Sequence, residues 1–366
     1  MITLYTSFSQ KEFSASVPDV EMSITGTRVN ATVNVSKSGE VTEIYSEYLY
    51  PDVTRRIKLT DLDILIEPYA NRWLTFDINV GLIEETVTTD TSGNETVTRG
   101  DTRKLSSQII SCRASIRNLT AEQWCSTRFL TLLDGPRVTA PGFLEYLYCI
   151  GPLSGSPYYR AYYDDGSSVA MACNSYSMGD HYIRIDASPN NFTSSGRKLM
   201  RYTIYAEQRS QEYVVNHDIA PDVAPVLLFW NSFGVQELAY CTGEFKEASS
   251  FERKQARIGR LKQTYSMEEK ATFKADTGFL TFPMAAWWRD VLRSMDIRVL
   301  GIRNGGVDTL NQKEVVIVSD KDEMSNAPDH MPRITFEYEY ADRNHNIFDV
   351  RQEGRIFDDT FDYTFN

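Results

Sequence analysis

The 366-residue chain is predicted to be a mainly β protein, with antiparallel sheets or a β-sandwich and a few short packed helices. Three observations support this fold class. Short runs alternate apolar and polar residues with a period of two, they are rich in Val, Ile, Thr and Tyr, and turn-forming residues separate them. A strand with one buried face produces this pattern, because successive side chains point to opposite faces of a sheet.

The predicted strands are spread along the whole chain. The alternating segments are EMSITG, RVNATVNVS, VTEIYSEYLY, WLTFDINVGLI, ETVTTDTSGNETVTRG, SSQIISCRAS, HYIRIDAS, LMRYTIYAE, KEVVIVSD and RITFEYEYAD. In ETVTTDTSGNETVTRG, Gly93 stands between two arms of Thr and Val. This arrangement predicts the tip of a long hairpin around residues 92–94.

A second hairpin is predicted in VLLFWNSFGVQELAYCTGEFK, residues 226–246. An apolar strand enters a glycine turn, and a second strand leaves it. Trp230 and Phe233 are expected to be buried near the turn, whereas Tyr240 and Phe245 are expected on the returning strand.

Three short helices are predicted to lie over the sheets. In LTDLDILIEPYANR, Thr60 is expected to cap a helix near 61–70, and Pro68 is expected to loosen or end it. In LTAEQW, Thr120 and Gln123 form the pattern of a capping box. In TFPMAAWWRDVLRSMD, a proline near the first helical position starts a helix near 283–295. The apolar residues at helical spacing in this third helix are Ala285, Trp288, Leu292 and Met295.

Turn-rich and proline-rich segments predict three domains. DGPRVTAPG (134–142) and SPNNFTSSGRK (188–198) are rich in turn residues, and VNHDIAPDVAPVL places Pro221 and Pro225 in an extended connection. The order of strands, helix and strand in the first third recurs after residue 226, so a duplication is a further hypothesis. The predicted domains are an amino-terminal β domain of residues 1–120, a middle β-rich domain of 121–222 and a carboxyl-terminal β module of 223–366.

The composition is acidic, with a net charge of -12 and a pI near 5.0. This charge argues against a general nucleic-acid coat, which needs a basic face to neutralise phosphates. It suits plain solubility, or a channel with acidic walls that DNA passes without sticking. No apolar run approaches the length of a membrane span and the amino terminus lacks a signal pattern, so a soluble protein without membrane insertion is expected.

The cysteines show no metal-binding or disulfide pattern. Their number is odd, they are widely spaced and no CxxC pair occurs, so mostly buried thiols in a reducing compartment are expected. The five cysteines are Cys112, Cys125, Cys149, Cys173 and Cys241.

No catalytic, cofactor or metal site is predicted. The four histidines form no ligand motif, and no nucleophile elbow, phosphate loop or dinucleotide fingerprint occurs. RNGGVD (303–308) is interpreted as a hairpin turn, and the acidic DKDEMSNAPDH (320–330) as a solvated loop, with a calcium site as its alternative. A glycoside hydrolase acts through two carboxyl groups that lie close in space, and a sequence pattern does not reveal such a pair. This function therefore stays open as an alternative.

Three segments are candidates for binding a partner. In SPYYRAYYDDGSS, tyrosines beside acids can anchor a protein interface, stack on sugars, or alternate between buried and exposed positions of an edge strand. RKQARIGRLK carries five basic residues and no acid, so it either meets an acidic surface of a neighbouring subunit or is a solvated face. The aromatic and acidic tail FDVRQEGRIFDDTFDYTFN can supply such a surface. The candidate residues are Tyr158, Tyr159, Tyr162, Tyr163, Arg253, Lys254, Arg257, Arg260, Phe357, Phe361 and Tyr363.

Several longer phrases carry a resemblance to a known family. They are LTDLDILIEPYANRWLTFDI, RFLTLLDGPRVTAPGFLEYLY, VLLFWNSFGVQELAYCTGEF, AWWRDVLRSMDIRVL and KEVVIVSDKDEMSNAPDHMPRITFEYEYADRNHNIF. Together they resemble tail or baseplate virion proteins, of the distal-tail or hub kind, from tailed phages and prophages of Bacteroides-type bacteria. The order of features matches through residues 226–346, and fewer of them match through 40–150.

The resemblance implies tail-tube-like modules, in which a β-sheet lines the lumen of a ring and a helix packs on its outer side. One module per chain implies a hexamer, and one in each half implies a trimer. The resemblance also implies other virion structural proteins as partners, transient passage of DNA through the lumen, and a place in the virion tail or baseplate after synthesis in the host cytoplasm.

The favoured hypothesis is therefore a noncatalytic structural component of a phage tail or baseplate that assembles into a ring around the tail axis. The first alternative is a carbohydrate-binding or adhesive module that uses residues 158–165 and Trp287. The second is a polysaccharide hydrolase with two unassigned carboxylates.

Overall fold

The computed structural model describes residues 1–179, 182–219, 224–258, 260–303, 306–323 and 331–342. Within these ranges the chain forms 23 strands and three α-helices. The prediction of a mainly β protein with antiparallel sheets and a few short helices is confirmed.

The chain forms two compact units. Among the described residues, unit 1 contains 1–130, 178–179, 182 and 232–234, and unit 2 contains 131–177, 183–219, 224–231 and those from 235 onward. The domain boundaries drawn from the sequence at residues 120 and 222 stay predictions.

Unit 1 is built from two sheets. Its strands are β1 (Thr3–Leu4), β2 (Lys11–Phe13), β3 (Val20–Ser23), β4 (Arg28–Lys37), β5 (Glu40–Leu49), β6 (Arg56–Leu59), β7 (Thr75–Thr89) and β8 (Glu95–Ile110). The strand orders are β1-β3-β6 and β2-β8-β7-β4-β5. Neighbouring strands are antiparallel, apart from β2 and β8, which run parallel. A single 3-10 turn covers Ser14–Ser16.

The core of unit 1 follows the alternation seen in the sequence. Every second residue of β4 is fully buried, from Val29 to Val35, and the residues between them are half-buried. β7 contributes buried Ile78, Val80 and Leu82 from the neighbouring strand. Each such aliphatic side chain contributes about 1.5–3 kcal/mol when it leaves water, so this pair of strands forms the centre of the core.

The first helix, α1 (Leu62–Ala70), starts differently from the prediction. Its N-cap residue is Asp61, in a left-handed conformation with φ of 63°, and no side chain caps the helix. The prediction of Thr60 as the cap is wrong, because its hydroxyl donates to the Asp61 carboxylate at 2.8 Å instead. Pro68 lies inside the helix, which ends two residues later.

The second helix, α2 (Ala121–Thr127), confirms the predicted capping box. The Thr120 hydroxyl accepts from the Gln123 amide at 3.2 Å, and the Gln123 side chain accepts from the Thr120 amide at 3.1 Å. Two backbone donors that have no partner within the helix are thereby satisfied.

The long hairpin predicted around Gly93 is present as β7 and β8. Thr89 pairs with Glu95, and the Asp90 carboxylate accepts from the amides of Ser92 and Asn94, each at 2.8 Å. Gly93 has φ of 85°, a conformation that glycine adopts without steric cost.

Unit 2 contains the remaining strands, although Tyr182 at the start of β14 belongs to unit 1. The strands are β9 (Arg137–Thr139), β10 (Tyr146–Ile150), β11 (Tyr158–Tyr163), β12 (Ser168–Ala172), β13 (Ser175–Ser177), β14 (Tyr182–Asp186), β15 (Leu199–Ala206), β16 (Arg209–Val215), β17 (Val226–Trp230), β18 (Gln236–Tyr240), β19 (Phe245–Ile258), β20 (Leu261–Asp276), β21 (Ile297–Arg303), β22 (Gly306–Glu323) and β23 (Arg333–Tyr340). A 3-10 turn covers Pro189–Phe192.

These strands form three sheets. Their orders are β10-β14-β13, β12-β11-β15-β16-β9 and β18-β17-β21-β22-β23-β20-β19. β9 and β16 run parallel, and the other described pairs are antiparallel.

The predicted hairpin of residues 226–246 is present as β17 and β18. Val226 pairs with Tyr240, which confirms Tyr240 on the returning strand. Phe245 was expected there as well, but it starts β19, because β18 ends at Tyr240. Phe233 is fully buried, whereas Trp230 is only half-buried.

The third helix, α3 (Phe282–Arg293), packs on the seven-stranded sheet. The Thr281 hydroxyl accepts from the Met284 amide at 3.4 Å, and Pro283 lies in the first turn, as predicted. The expected helical position of Met295 is wrong, because the chain becomes extended at Ser294 and ends the helix.

An ionic cluster lies inside unit 2. The guanidinium of buried Arg137 contacts Glu145 at 3.0 Å and Glu237 at 3.3 Å, and it covers the Trp287 ring at 4.6 Å. Glu237 also accepts from Trp287 Nε1 at 3.0 Å and from Asn231 Nδ2 at 2.5 Å. Burial raises the pKa of Glu145 to about 7, because removal from water outweighs the attraction of Arg137.

The order of hairpin, helix and hairpin occurs in both units. In unit 1 it is β4-β5, α1 and β7-β8; in unit 2 it is β19-β20, α3 and β21-β22. The sheets are connected differently, since β4 pairs directly with β7, whereas β23 lies between β20 and β22.

Four of the five cysteines are buried, and Cys173 is half-buried. Among the described residues, no helix is long and apolar enough to cross a membrane.

Candidate assembly surface

The candidate surface lies on the longest part of the hairpin formed by β19 and β20. Here, "the ribbon" means residues 250–258 of β19 and 261–270 of β20. These residues pair with each other, and no third strand in the described ranges pairs with them; β23 joins β20 only at Phe273–Asp276. At about 3.4 Å per residue, the ribbon is roughly 35 Å long.

The sequence explains why the described side chains of the ribbon form no buried face. A strand packed on a core shows apolar residues at every second position, but FERKQARI places charged or polar residues on both faces. The described side chains from Ser249 to Gln255 are all exposed, as are those from Arg260 to Tyr265. The ribbon is therefore held by its own backbone hydrogen bonds, whereas an isolated two-stranded hairpin is only marginally stable in water.

The far half of the ribbon is basic. Arg253, Lys254, Arg257, Arg260 and Lys262 lie there, and the side chains of all five are exposed. Arg257 and Lys262 stand directly opposite each other, an arrangement that is unfavourable for like charges on neighbouring strands. The structure thus places all five basic residues of RKQARIGRLK, including the four named candidates, in one part of the ribbon.

Apolar side chains are also exposed on the ribbon. Phe251, Leu261 and Tyr265 are 44%, 68% and 69% exposed, respectively. Arg253 covers the Phe251 ring at 5.3 Å, which leaves an aromatic and a cation side by side on one strand. Aromatic and arginine side chains of this kind are enriched at the energetic centres of protein interfaces.

The four candidate tyrosines divide between two faces of β11. Tyr159 and Tyr163 are buried; the Tyr159 ring lies 4.2 Å from that of Phe192, and the Tyr163 hydroxyl donates to the Phe192 carbonyl at 2.9 Å. Burial removes both from any contact surface. Tyr158 and Tyr162 lie on the opposite face, so the expected surface of four tyrosines is reduced to these two.

The rings of Tyr158 and Tyr162 are already covered by neighbours. Tyr158 stacks on Tyr205 with ring centroids 4.9 Å apart, and Arg201 lies over the Tyr162 ring at 4.5 Å. One face of each ring is therefore occupied, which leaves less ring surface for stacking on a sugar. Trp287, also considered for sugar binding, is 1% exposed and lies in the core.

Phe357, Phe361 and Tyr363 lie outside the described residues. So do residues 304–305 of the predicted RNGGVD turn and residues 324–330 of the acidic loop. Within the described ranges, no group of three or more His, Cys, Asp or Glu side chains is placed to hold a metal ion.

Sequence reasoning missed the length of the ribbon and the cluster around Arg137. The polar character of both faces from Ser249 to Tyr265 was the available signal for the ribbon, because it excludes burial of either face. Arg137 and Glu237 are 100 residues apart in the chain, so no local pattern joins them.

No protein-family model matches the chain, and no curated protein matches it. Among solved structures it aligns with immunoglobulin-domain fragments of titin. A three-domain titin fragment with E-to-A changes is 12% identical, with 75% of this chain and 93% of that chain covered and a TM-score of 0.18. The titin Z1Z2 domains in complex with telethonin are 15% identical, with coverage of 59% and 96% and a TM-score of 0.15. At TM-scores this low, the alignments carry no argument about this chain.

Proposed function

We propose that this chain is a noncatalytic structural subunit of a phage tail or baseplate, and that copies of it assemble into a ring around the tail axis. The observation that carries the proposal is the ribbon, roughly 35 Å of paired strand whose described side chains form no packed face. The resemblance of the sequence to distal-tail and hub proteins supports the ring and its place in the virion.

The physical argument concerns what stabilises the ribbon. Its exposed strand edge and apolar side chains are open to pairing with another chain, which is a liability for a protein that works alone. In an assembly the same features become contact area. A stable contact between protein chains buries on the order of 1,600 Å² in total, an area that a long ribbon can help to supply without any reactive group.

Glycan binding draws less support from the geometry. Of the residues assigned to it, Tyr159, Tyr163 and Trp287 are buried, and the rings of Tyr158 and Tyr162 are covered by neighbouring side chains. Assembly is therefore the function that the described residues favour.

The proposal is tested with the full chain and a ribbon-shortened variant, in which residues 250–270 are replaced by Asn-Gly so that Ser249 and Ala271 flank a two-residue turn. The wild type is expected to form a cyclic oligomer by light scattering at micromolar concentration, and a ring with a central hole in negative-stain images. The shortened variant is expected to be monomeric with an unchanged circular dichroism spectrum.

The control variant shortens the other long hairpin, with residues 88–96 replaced by Asn-Gly between Val87 and Val97. It is expected to assemble like the wild type. A wild type that stays monomeric in the presence of the other tail proteins overturns the proposal. Rings formed by the ribbon-shortened variant show that the ribbon does not carry assembly.

A further inference from the structure

The end of the ribbon where its two strands join is strongly basic. Arg257 and Lys262 stand opposite each other next to the last strand pair, and Arg260 lies in the turn. The sequence has no acidic residue from position 253 to position 267. Among the described residues, no carboxylate forms an ion pair with these three cations. The cations therefore repel one another, and a negatively charged partner relieves this repulsion.

An exposed leucine stands among these cations. Leu261 follows Arg260 and precedes Lys262, and it is 68% exposed. It belongs to the last pair of the ribbon, so it lies at the very end of the paired strands. Here, "the tip" means the four side chains of Arg257, Arg260, Leu261 and Lys262. The tip combines one apolar side chain with three cations at the end of an elongated pair of strands.

The tip matches the distance over which a charged lipid surface acts. The potential of anionic lipids falls off within a Debye length, which is about 8 Å at physiological salt. Arg257 and Lys262 are one residue from the last strand pair, or about 3.4 Å along each strand. Lys254 and Arg253 lie roughly 10 Å and 14 Å behind Arg257 along β19. Three cations can thus approach such a surface together, whereas the other two contribute less.

The leucine distinguishes a lipid surface from a nucleic acid. Cations alone suffice for contact with DNA phosphates, and a leucine adds nothing to such a contact. At a lipid surface, an apolar side chain enters the boundary between headgroups and acyl chains, while cations remain at the phosphates. Leu261, between Arg260 and Lys262, fits this division.

We propose that the tip of the ribbon binds an anionic lipid surface, with Arg257, Arg260 and Lys262 at the headgroup phosphates and Leu261 inserted below them. The inference concerns a single chain, so it goes beyond the proposed assembly and does not depend on it. Each cation strengthens binding about fivefold, and the leucine about tenfold. Binding is weak and reversible, because even a myristoyl chain alone gives only about 10⁴ M⁻¹.

Vesicle sedimentation tests the proposal with the full chain at millimolar lipid. The wild type is expected to sediment with phosphatidylcholine vesicles that contain about 30% phosphatidylglycerol, and to bind pure phosphatidylcholine about 100-fold less tightly. The ribbon-shortened variant is expected to bind neither. Light scattering without lipid reports the oligomeric state of each variant, so that loss of lipid binding is separated from loss of assembly.

Charge variants test the cations of the tip. A variant with three alanines in place of these cations is expected to bind anionic vesicles about 100-fold more weakly; its changes are Arg257→Ala, Arg260→Ala and Lys262→Ala. The control loses the same net charge from exposed cations elsewhere and is expected to bind like the wild type. Its changes are Arg113→Ala, Arg117→Ala and Arg160→Ala.

Leucine variants test insertion. Leu261→Ser is expected to bind anionic vesicles about tenfold more weakly. Phe279→Ser is the control, because Phe279 is 69% exposed but follows the opposite end of β20, and it is expected to bind like the wild type. Leu261→Trp is expected to add a fluorescence component that shifts to shorter wavelength with anionic vesicles only.

Several results would overturn the lipid contact. These are equal binding to neutral and anionic vesicles, no binding to either, and wild-type binding by the three-alanine variant of the tip. Tighter binding to a DNA duplex than to the vesicles, measured by fluorescence anisotropy, assigns the cations to nucleic acid instead. Loss of binding only in variants that have also become monomeric overturns a site on the single chain. An oligomeric wild type that does not bind anionic vesicles leaves the assembly proposal standing.

Discussion

At the scale of single residues, the main feature is the ionic cluster around Arg137, whose charged side chains are buried inside unit 2. Arg137 is held between Glu145 and Glu237, and the Glu145 oxygen Oε1 has no hydrogen-bond partner among the described residues. A buried acceptor without a partner costs free energy unless the carboxyl takes up a proton. Burial raises the pKa of Glu145 to about 7, because removal of the carboxylate from water outweighs the attraction of Arg137.

Glu145 predicts a pH dependence of stability. Its pKa is about 7 in the folded chain and near its ordinary value of 4.5 when unfolded, so the folded chain holds an extra proton between these pH values. The contribution of Glu145 to the unfolding free energy therefore falls as the pH rises from about 4.5 to 7, by on the order of 1–3 kcal/mol. Glu145→Gln, which cannot ionise, is expected to gain stability relative to the wild type between pH 5 and pH 8 in urea denaturation.

The comparison of the two chains isolates Glu145, because other groups titrate in both. Glu212, a half-buried residue whose side chain is 39% exposed, provides the control. Glu212→Gln is expected to leave the difference from wild type equal at the two pH values. An equal difference for Glu145→Gln would show that Glu145 is already ionised at pH 5 in the folded chain.

At the scale of elements, sequence patterns predicted the features that depend on contacts between residues close together in the chain. The capping box of α2 and the tip of the β7-β8 hairpin depend on residues within four positions of each other, and both were predictable. The start of α1 was not, because Thr60 has a competing acceptor in the adjacent carboxylate. The alternation of buried and exposed tyrosines in β11 followed from the period of two, whereas the identity of edge strands depends on pairing between distant segments.

The capping box gives a prediction for one element. Thr120→Ala removes the acceptor of the Gln123 amide, so the unfolding free energy is expected to fall by about 1 kcal/mol in chemical denaturation. Thr120→Ser keeps the hydroxyl and serves as the control, with stability close to the wild type. A loss as large for serine as for alanine would show that the threonine methyl group, rather than the cap, is responsible.

At the scale of the whole molecule, the chain combines a net charge of -12 with one exposed basic end on the ribbon. The total charge repels like copies at long range, while the ribbon offers a local attraction. The net negative charge follows from the composition alone. The exposed basic end is visible only in the structure. The sequence shows five basic residues within a segment of ten, but not that this segment lies on a pair of strands with no third strand beside it among the described residues.

Assembly is expected to depend on salt. Raising the ionic strength from about 0.1 M to about 1 M shortens the screening length from about 10 Å to about 3 Å, so exposed charge pairs weaken. Light scattering is therefore expected to show a shift from oligomer towards monomer across this range. The control variant, in which residues 88–96 are replaced by Asn-Gly, is expected to show the same shift. Stronger association at high salt would indicate that apolar contact through Phe251, Leu261 and Tyr265 dominates instead.

The aromatic cluster of unit 1 has a consequence for the timing of folding. The buried ring of Phe233 lies 6.0 Å from Phe13 and 5.5 Å from Trp124, yet it is separated from them by more than a hundred residues of chain. During synthesis, the ribosome delivers Phe13 and Trp124 long before Phe233. The core of unit 1 therefore stays incomplete until residues 232–234 have been synthesised. A fragment that stops at residue 130 lacks the Phe233 ring that fills part of this core.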